Sequence, residues 1–375
     1  MLKISNKQLG FILTGLFLIT SGCSGEKSSI EPKENNKTIS IESVYLDQGS
    51  SLSDNRILVT NGKTGKDERF GFLDKDGKIV IDIQYPYAMN FNDEFAKVKL
   101  ESGYMAFIYK DGKQVIDKIN GKNITSADVF IDGYASVVLE GEDGKSYIID
   151  KSGNVVLKHE QAGYAYRNLG GGFFERTIGN DYSKPMEIVK ADGSILSDKD
   201  IKDIVFSDEE IGYYSFDLES YGIWDSEYGQ KITEPLYSHI SRFSDGVAFV
   251  ITNDGKAQII NEKGECITDL SKLYSTIDIE KSKTSIKDSV LSIKLTDKEG
   301  VCLLDTKGNV VKQTQYDSIG AFSDDIAVCE KNGKYGYVNS NGEEIIKPQY
   351  DIATNVDDNI AFVSKDNLII KLNLK

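Results

Sequence analysis

Histidine is nearly missing from this 375-residue chain: there are two, His159 and His239, far apart in sequence. Zinc sites and histidine-assisted nucleophiles draw on clustered His or Cys. No His-x-x-x-His, Cys-x-x-Cys or Gly-x-Ser-x-Gly pattern occurs. The expectation is no catalytic residue, no metal site and no cofactor, with both histidines packed or at the surface. Proline is scarce too, at five residues against 34 glycines, which excludes a Pro/Gly low-complexity chain. Positive charge falls short: 44 Lys and Arg against 59 Asp and Glu leave a net −15. Nucleic acid is not an expected partner, because its affinity comes mostly from cations that neutralise phosphates. An acidic surface also resists anionic headgroups, so membrane attachment would have to be covalent. Cysteine occurs four times, at 23, 266, 302 and 329. The last three sit in apolar strand contexts and read as buried thiols. Being odd in number they cannot all pair, though one disulfide within the Cys266–Cys329 region stays open.

Long apolar runs are absent except at the N-terminus. Lys3 and Lys7 precede an apolar stretch from Leu9 to Thr20. Spanning a bilayer takes about 20 apolar residues, so this run is too short. It reads as a signal peptide over residues 1–22. It closes on Ile19-Thr20-Ser21-Gly22-Cys23. Small residues directly before a cysteine resemble the lipobox of bacterial lipoproteins, although Thr20 stands where a Leu-like residue is usual. The resemblance implies cleavage before Cys23 and lipidation of its thiol. Two acyl chains on that cysteine suffice for stable anchoring on the extracytoplasmic face of the cell membrane. Residues 24–38 are polar with one isolated aliphatic, Ile30, and read as a flexible tether. Residues 39–375 are left for the folded domain.

That domain is repetitive. A short phrase recurs nine times, most clearly as Phe243-Ser244-Asp245-Gly246-Val247-Ala248-Phe249-Val250 and Phe322-Ser323-Asp324-Asp325-Ile326-Ala327-Val328. A fixed period means that each unit cannot bury its own apolar face and must stack on neighbours. Between phrases stands a hairpin: a short strand, a tight turn and a return strand, as in Tyr335 to Val338, Asn339 to Gly342 and Glu344 to Ile346. The turn carries Gly at 77, 112, 153, 193, 229, 264, 308 and 342. Asp74, Asp150, Asp225, Asn261, Asp305 or Asn339 precedes it, placed to cap the turn through backbone N–H groups. The longest gap, from Gly264 to Gly308, holds a polar insertion around 280–287 that reads as the main variable loop.

Aromatic-Gly starts (Phe70-Gly71-Phe72, Tyr221-Gly222-Ile223, Tyr335-Gly336-Tyr337), the exit Pro348-Gln349-Tyr350-Asp351 and the Phe-Ser-Asp-Gly-x-Ala phrase resemble the WG-repeat family of bacterial proteins. The likeness covers roughly residues 50–373. Four units depart from it, with Tyr147, Glu187, Gln258 and Cys302 in place of the Gly. The resemblance implies a structural or binding role rather than an enzymatic one.

The array is out of phase at its ends. It starts with the back half of a unit at Leu52 to Val59, after a possible strand at Thr38 to Glu42. It finishes with a lone first strand, Asn367 to Leu372. The fold expected is all-β, a β-propeller-like closed array of about eight to nine units, with an open β-solenoid as the alternative. Asp74-Lys75-Asp76-Gly77 looks like the start of a calcium loop but lacks its distal Glu. Gly170-Gly171-Gly172 replaces Ser-Asp-Gly as a turn variant. Of 20 tyrosines, Tyr85, Tyr87, Tyr164, Tyr166, Tyr213, Tyr214 and Tyr228 are candidates to line one face. Two functions fit: a lipid-anchored, non-enzymatic scaffold for another envelope or secreted protein, or a binder of wall glycan, with hydrolysis a minor version.

Overall fold

A computed structural model describes residues 37–39, 44–47, 49–142, 145–158, 164–178, 187–195, 203–206, 211–215, 220–225, 230–272, 277–278, 282–287 and 289–374. Among them the chain is strand after strand, broken only by the 3-10 turns Gly65–Asp67 and Leu270–Lys272. The strands form seven antiparallel sheets. Two sheets hold two units each, joined by the single pairs Ile124 with Met105 and Tyr221 with Tyr237. The described residues therefore form nine units, matching the nine phrases.

The units are up-and-down meanders. Unit 2 is Tyr87–Ala88, Ala96–Lys99, Met105–Ile108 and Gln114–Ile116. Unit 3 is Lys122–Ala127, Tyr134–Leu139, Ser146–Asp150 and Val155–Lys158. Unit 4 shows three strands among the described residues, Tyr164–Gly170, Phe173–Ile178 and Glu187–Lys190. Unit 8 is Ser318–Ile319, Ile326–Lys331, Lys334–Asn339 and Glu344–Tyr350. Pro348 fits inside its last strand because that strand is the outer edge, where a missing N–H costs no ladder bond.

The core lies between units. Phe72 and Ile81 of unit 1 pack with Phe91 and Ala96 of unit 2. Phe107 of unit 2 packs with Ile124 and Val137 of unit 3, and Ile148 of unit 3 with Phe174 and Val189 of unit 4. Unit 4 meets unit 5 through Tyr164–Gly170 against Asp203–Phe206. Ile223, Phe249, Leu303 and Tyr337 continue the series through units 5 to 9. Phe362 and Ile369 of unit 9 then share a core with Ile57, Val59 and Leu73 of unit 1. The last unit thus packs on the first, and the array is a closed, β-propeller-like ring. Fully burying one such Phe or Ile is worth about 1.5–3 kcal/mol, so each junction with a core of this kind contributes several times that.

The two chain ends build one unit together. Lys37–Ile39 pairs antiparallel with Leu368–Asn373, matching Lys37 with Lys371 and Ile39 with Ile369. This strand becomes the outermost of unit 9, whose order is Ile352–Ala353, Ile360–Lys365, Leu368–Asn373, Lys37–Ile39. It starts two residues before the boundary expected at 39.

Two turn types explain the repeated residues. The phrase turn holds both central residues at positive φ, as at Asp54 and Asn55 (54° and 59°) or Asp324 and Asp325 (53° and 68°). That is the tight hairpin turn that suits twisted strands, and Asp, Asn and Gly tolerate it best. The other turn is capped as its sequence predicts. Asp305 Oδ1 accepts the N–H groups of Lys307 and Asn309 at 2.9 and 2.8 Å. Asp74 and Asp150 do the same, which gives the calcium-like Asp74-Lys75-Asp76-Gly77 a structural use.

The glycine of the aromatic-Gly pair lies under the fourth strand. A Cβ at Gly336 would sit 2.3 Å from the Ile346 carbonyl oxygen, and one at Gly71 2.6 Å from that of Ile81. Register shifts mark both places, so the return strand bulges over the glycine. Unit 2 has Ala106 there and a shorter fourth strand, Gln114–Ile116.

The structure corrects two readings. Residues 283–287 are not a loop: Lys283–Lys287 is the first strand of unit 7. One apolar side chain, the fully buried Ile286, anchors this polar strand. Cys266 is not buried; it lies exposed on the outer strand Cys266–Asp269, which has no neighbour on one side.

Candidate functional site

Cys23, His159 and Tyr228 lie outside the described residues. His239 is half-buried with its ring edge-on to Phe249 at 6.0 Å, and burial lowers its pKa. The cysteines at 302 and 329 are buried free thiols in the cores of different junctions. Burial first, then the nearby Glu344 carboxylate, pushes the Cys329 thiol up to about 12. Such a thiol carries almost no thiolate at neutral pH and is a packing group. Among the described residues no three His, Cys, Asp or Glu side chains are grouped to hold a metal.

Of the candidate tyrosines, the side chains of Tyr164, Tyr213 and Tyr214 also lie outside the described residues, and the other three differ in exposure. Tyr85 and Tyr166 are buried, while Tyr87 is 41% exposed. Tyr87 lines a cleft of about 480 Å³ between units 1 and 2, with Pro86, Lys66, Lys99, Leu100 and Met105. Lys97 Nζ stands 6.0 Å from the Tyr87 ring, and Arg69 pairs with Glu101 at 2.9 Å beside it.

Sequence reading missed a ladder of contacts between units. At five junctions among the described residues the Asp of a phrase turn reaches the phrase turn of the next unit. Asp54 Oδ2 accepts the Glu94 N–H at 3.0 Å, and Asp93 Oδ2 accepts the Gly133 N–H at 2.5 Å. Asp132 accepts from Gly171 at 2.8 Å, Asp245 from Ser289 at 3.3 Å and Asp324 from Asn359 at 3.2 Å. The spacing of 35 to 44 residues is the repeat period. That equality was the available signal: an Asp kept at one turn position, one unit apart, has its counterpart within reach once units stack.

Lysines join the ladder from the capped turns. Lys110 Nζ meets Asp54 Oδ1 at 3.0 Å, and Lys151 Nζ meets Asp93 Oδ1 at 2.6 Å. The hydrogen bond that Lys151 donates to Asp93 raises its pKa against a smaller effect of burial, and one to Glu94 adds to the rise, which keeps the ammonium protonated. Asp54 and Asp93 therefore each bind one backbone N–H and one ammonium of the following unit. At the junction of units 3 and 4 there is a cavity of about 450 Å³, lined by Asp132, Tyr134, Gly171, Gly172, Phe173, Lys190, Ala191 and Asp192.

Comparison with known proteins adds the following. The model of the WG containing repeat family matches residues 70–104, 229–256, 303–335 and 335–368. No curated protein matches the chain. Among solved structures, BamB from Moraxella catarrhalis is similar at 12% identity, covering 90% of this chain and 97% of that one, with a TM-score of 0.41. Sqt1 from Saccharomyces cerevisiae is similar at 13%, covering 89% and 97%, with a TM-score of 0.38. The computationally designed Ika8 protein is similar at 15%, covering 76% and 94%, with a TM-score of 0.41. Four matched stretches, falling in units 1 and 2, 5 and 6, 7 and 8, and 8 and 9 of one closed array, make this chain a member of the WG containing repeat family.

Proposed function

We propose that the chain is a lipid-anchored, extracytoplasmic binding scaffold, non-enzymatic, whose partner is another envelope or secreted protein. The observation that carries the reading is the pairing of Lys37–Ile39 with Leu368–Asn373. On this reading the polar residues after Cys23 tether a ring that its own chain ends close. A ring with inter-unit cores and solvent-open junctions supplies a broad, rigid surface of polar turns, which suits a protein partner. Its charge of −15 favours a partner with basic side chains.

The anchoring half is tested by fractionation. Cys23→Ala should lose fatty-acid label and move to the soluble fraction. Firm attachment of the variant to membranes would sink it. The binding half is tested by photo-crosslinkers placed at exposed positions on the two faces of the ring in cells. A discrete protein adduct from one face supports the scaffold, and uniform absence of adducts counts against it.

One observation favours the glycan reading: the exposed Tyr87 ring in a cleft that also holds Lys66 and Lys99. An aromatic face can stack on a sugar while the ammonium groups meet its acidic substituents. Loss of wall-glycan retention in Tyr87→Ala would move the assignment to this cleft.

A further inference from the structure

Comparing successive junctions of the ring shows one that differs in a specific way. The capped turns of units 2, 3 and 4 read Tyr109-Lys110-Asp111-Gly112, Asp150-Lys151-Ser152-Gly153 and Lys190-Ala191-Asp192-Gly193. The second position is Lys110, Lys151 and then Ala191. The first two lysines bind Asp54 and Asp93 of the unit before. At the third junction the equivalent carboxylate, Asp132, accepts a backbone bond from Gly171, the first rather than the second central residue of the facing turn. It has no ion pair among the described residues, and the side chain that would supply one is a methyl group.

A second substitution widens the same place. Gly171 stands where the neighbouring phrase turns carry Asp93 or Asp132, so its side chain is missing as well. The Ala191 N–H donates to the Gly172 carbonyl at 2.8 Å, which holds the capped turn against the phrase turn, as Ser340 to Asp325 does in unit 8 and Leu374 to Asn359 in unit 9. The carboxylate, a backbone bond to it and the capped turn that faces it are therefore all present at this junction. Lys190 does not fill it: its Nζ lies 5.3 Å from the Phe173 ring, and its charge acts on Asp192. Asp192 is occupied by the Ser194 hydroxyl at 2.6 Å and the Ser194 N–H at 2.8 Å.

We propose that the cavity at the junction of units 3 and 4 binds a lysine side chain of the partner protein, its ammonium on Asp132 and its alkyl stem along Tyr134 and Phe173. The chain itself shows the chemistry twice, with ammonium-to-carboxylate distances of 3.0 and 2.6 Å at the equivalent positions. A long aliphatic stem with a charged tip suits a slot with an aromatic wall and one carboxylate at its end. The acidic charge of the whole molecule draws such a partner in. This inference rests on the scaffold reading and deepens it.

The test uses the full chain in detergent and three pentapeptides, Ac-Gly-Gly-X-Gly-Gly-amide, with X lysine, acetyl-lysine or norleucine. The Gly171 and Ala191 amide resonances report binding. The lysine peptide should bind saturably and the other two at least about tenfold more weakly, as loss of a charged hydrogen bond requires. Asp132→Asn should remove the difference. Ala191→Lys should abolish peptide binding and raise the thermal midpoint, because the chain then supplies its own ammonium as it does at the two earlier junctions. Equal binding of lysine and acetyl-lysine peptides, no binding at all, or unaltered binding to Ala191→Lys would overturn the proposal. So would butylammonium binding as tightly as the peptide, which would assign the cavity to free amines. Failure here leaves the Cys23→Ala fractionation and the cell crosslinking to be read independently, since neither depends on Asp132.

Discussion

Gly336 and Gly71 owe their identity to a carbonyl oxygen, not to flexibility. The return strand crosses each of them at a distance that no Cβ tolerates. Gly336→Ala should therefore lower stability by about 1–3 kcal/mol, the usual cost of forcing atoms into a packed site, read as a shift of the urea midpoint. The aromatic-Gly pair was legible in the sequence as a recurring mark, but its reason was not, because the clash is with a residue ten positions on. Cysteine labelling checks a second set of positions. In the native protein Cys266 should react with a thiol reagent, whereas Cys302 and Cys329 should react only after unfolding. Glu142 gives a pH prediction. Hydrogen bonds from Lys122 and then Lys145 lower its pKa from 4.5 to about 2. Its depressed value means that its contribution is full above the ordinary carboxylate range and is lost as pH falls from about 4.5 toward 2. An NMR titration should place the Glu142 midpoint near 2; a midpoint near 4.5 would show that these lysines do not hold it.

Strands and turns were the most readable features, since the period of the phrase and the capped Asp-x-x-Gly turn each have a local cause. The strand Lys283–Lys287 was not readable because four of its five residues are polar or charged, and only pairing with Val290–Lys294 makes Ile286 a core residue. The ladder of Asp contacts escaped notice for a related reason: each bond joins residues one full unit apart. Asp93→Ala removes both an acceptor for the Gly133 N–H and the partner of Lys151. We expect a loss of about 1–2 kcal/mol, with most of it kept in an Asp93→Ala, Lys151→Ala double variant because the exposed ion pair itself is worth only about 0.2–1 kcal/mol. A cycle in which Asp93→Ala is silent would reduce the ladder to surface decoration.

Ring closure was visible as a phase mismatch between the two ends, and the structure resolves it by giving unit 9 one strand from the N-terminus and three from the C-terminus. The singular junction of units 3 and 4 was not visible, because the residues that differ there, Gly171 and Ala191, look like ordinary turn variants until the units are stacked. Deleting residues 366–375 should destabilise the whole ring, since it removes Leu372 and Ile369 from two junction cores and the partner of Lys37–Ile39 together. A drop in thermal midpoint confined to a minor transition would instead mean that the junction of units 9 and 1 folds separately. Small-angle scattering of the fragment from residue 37 should give a compact disc. The closing strand also has a mechanical meaning. If the residues before Lys37 tether the ring as proposed, tension on them arrives first at a clasp three residue pairs long. Under a steady pull that clasp peels before any inter-unit core yields, and it zips shut again when the pull stops.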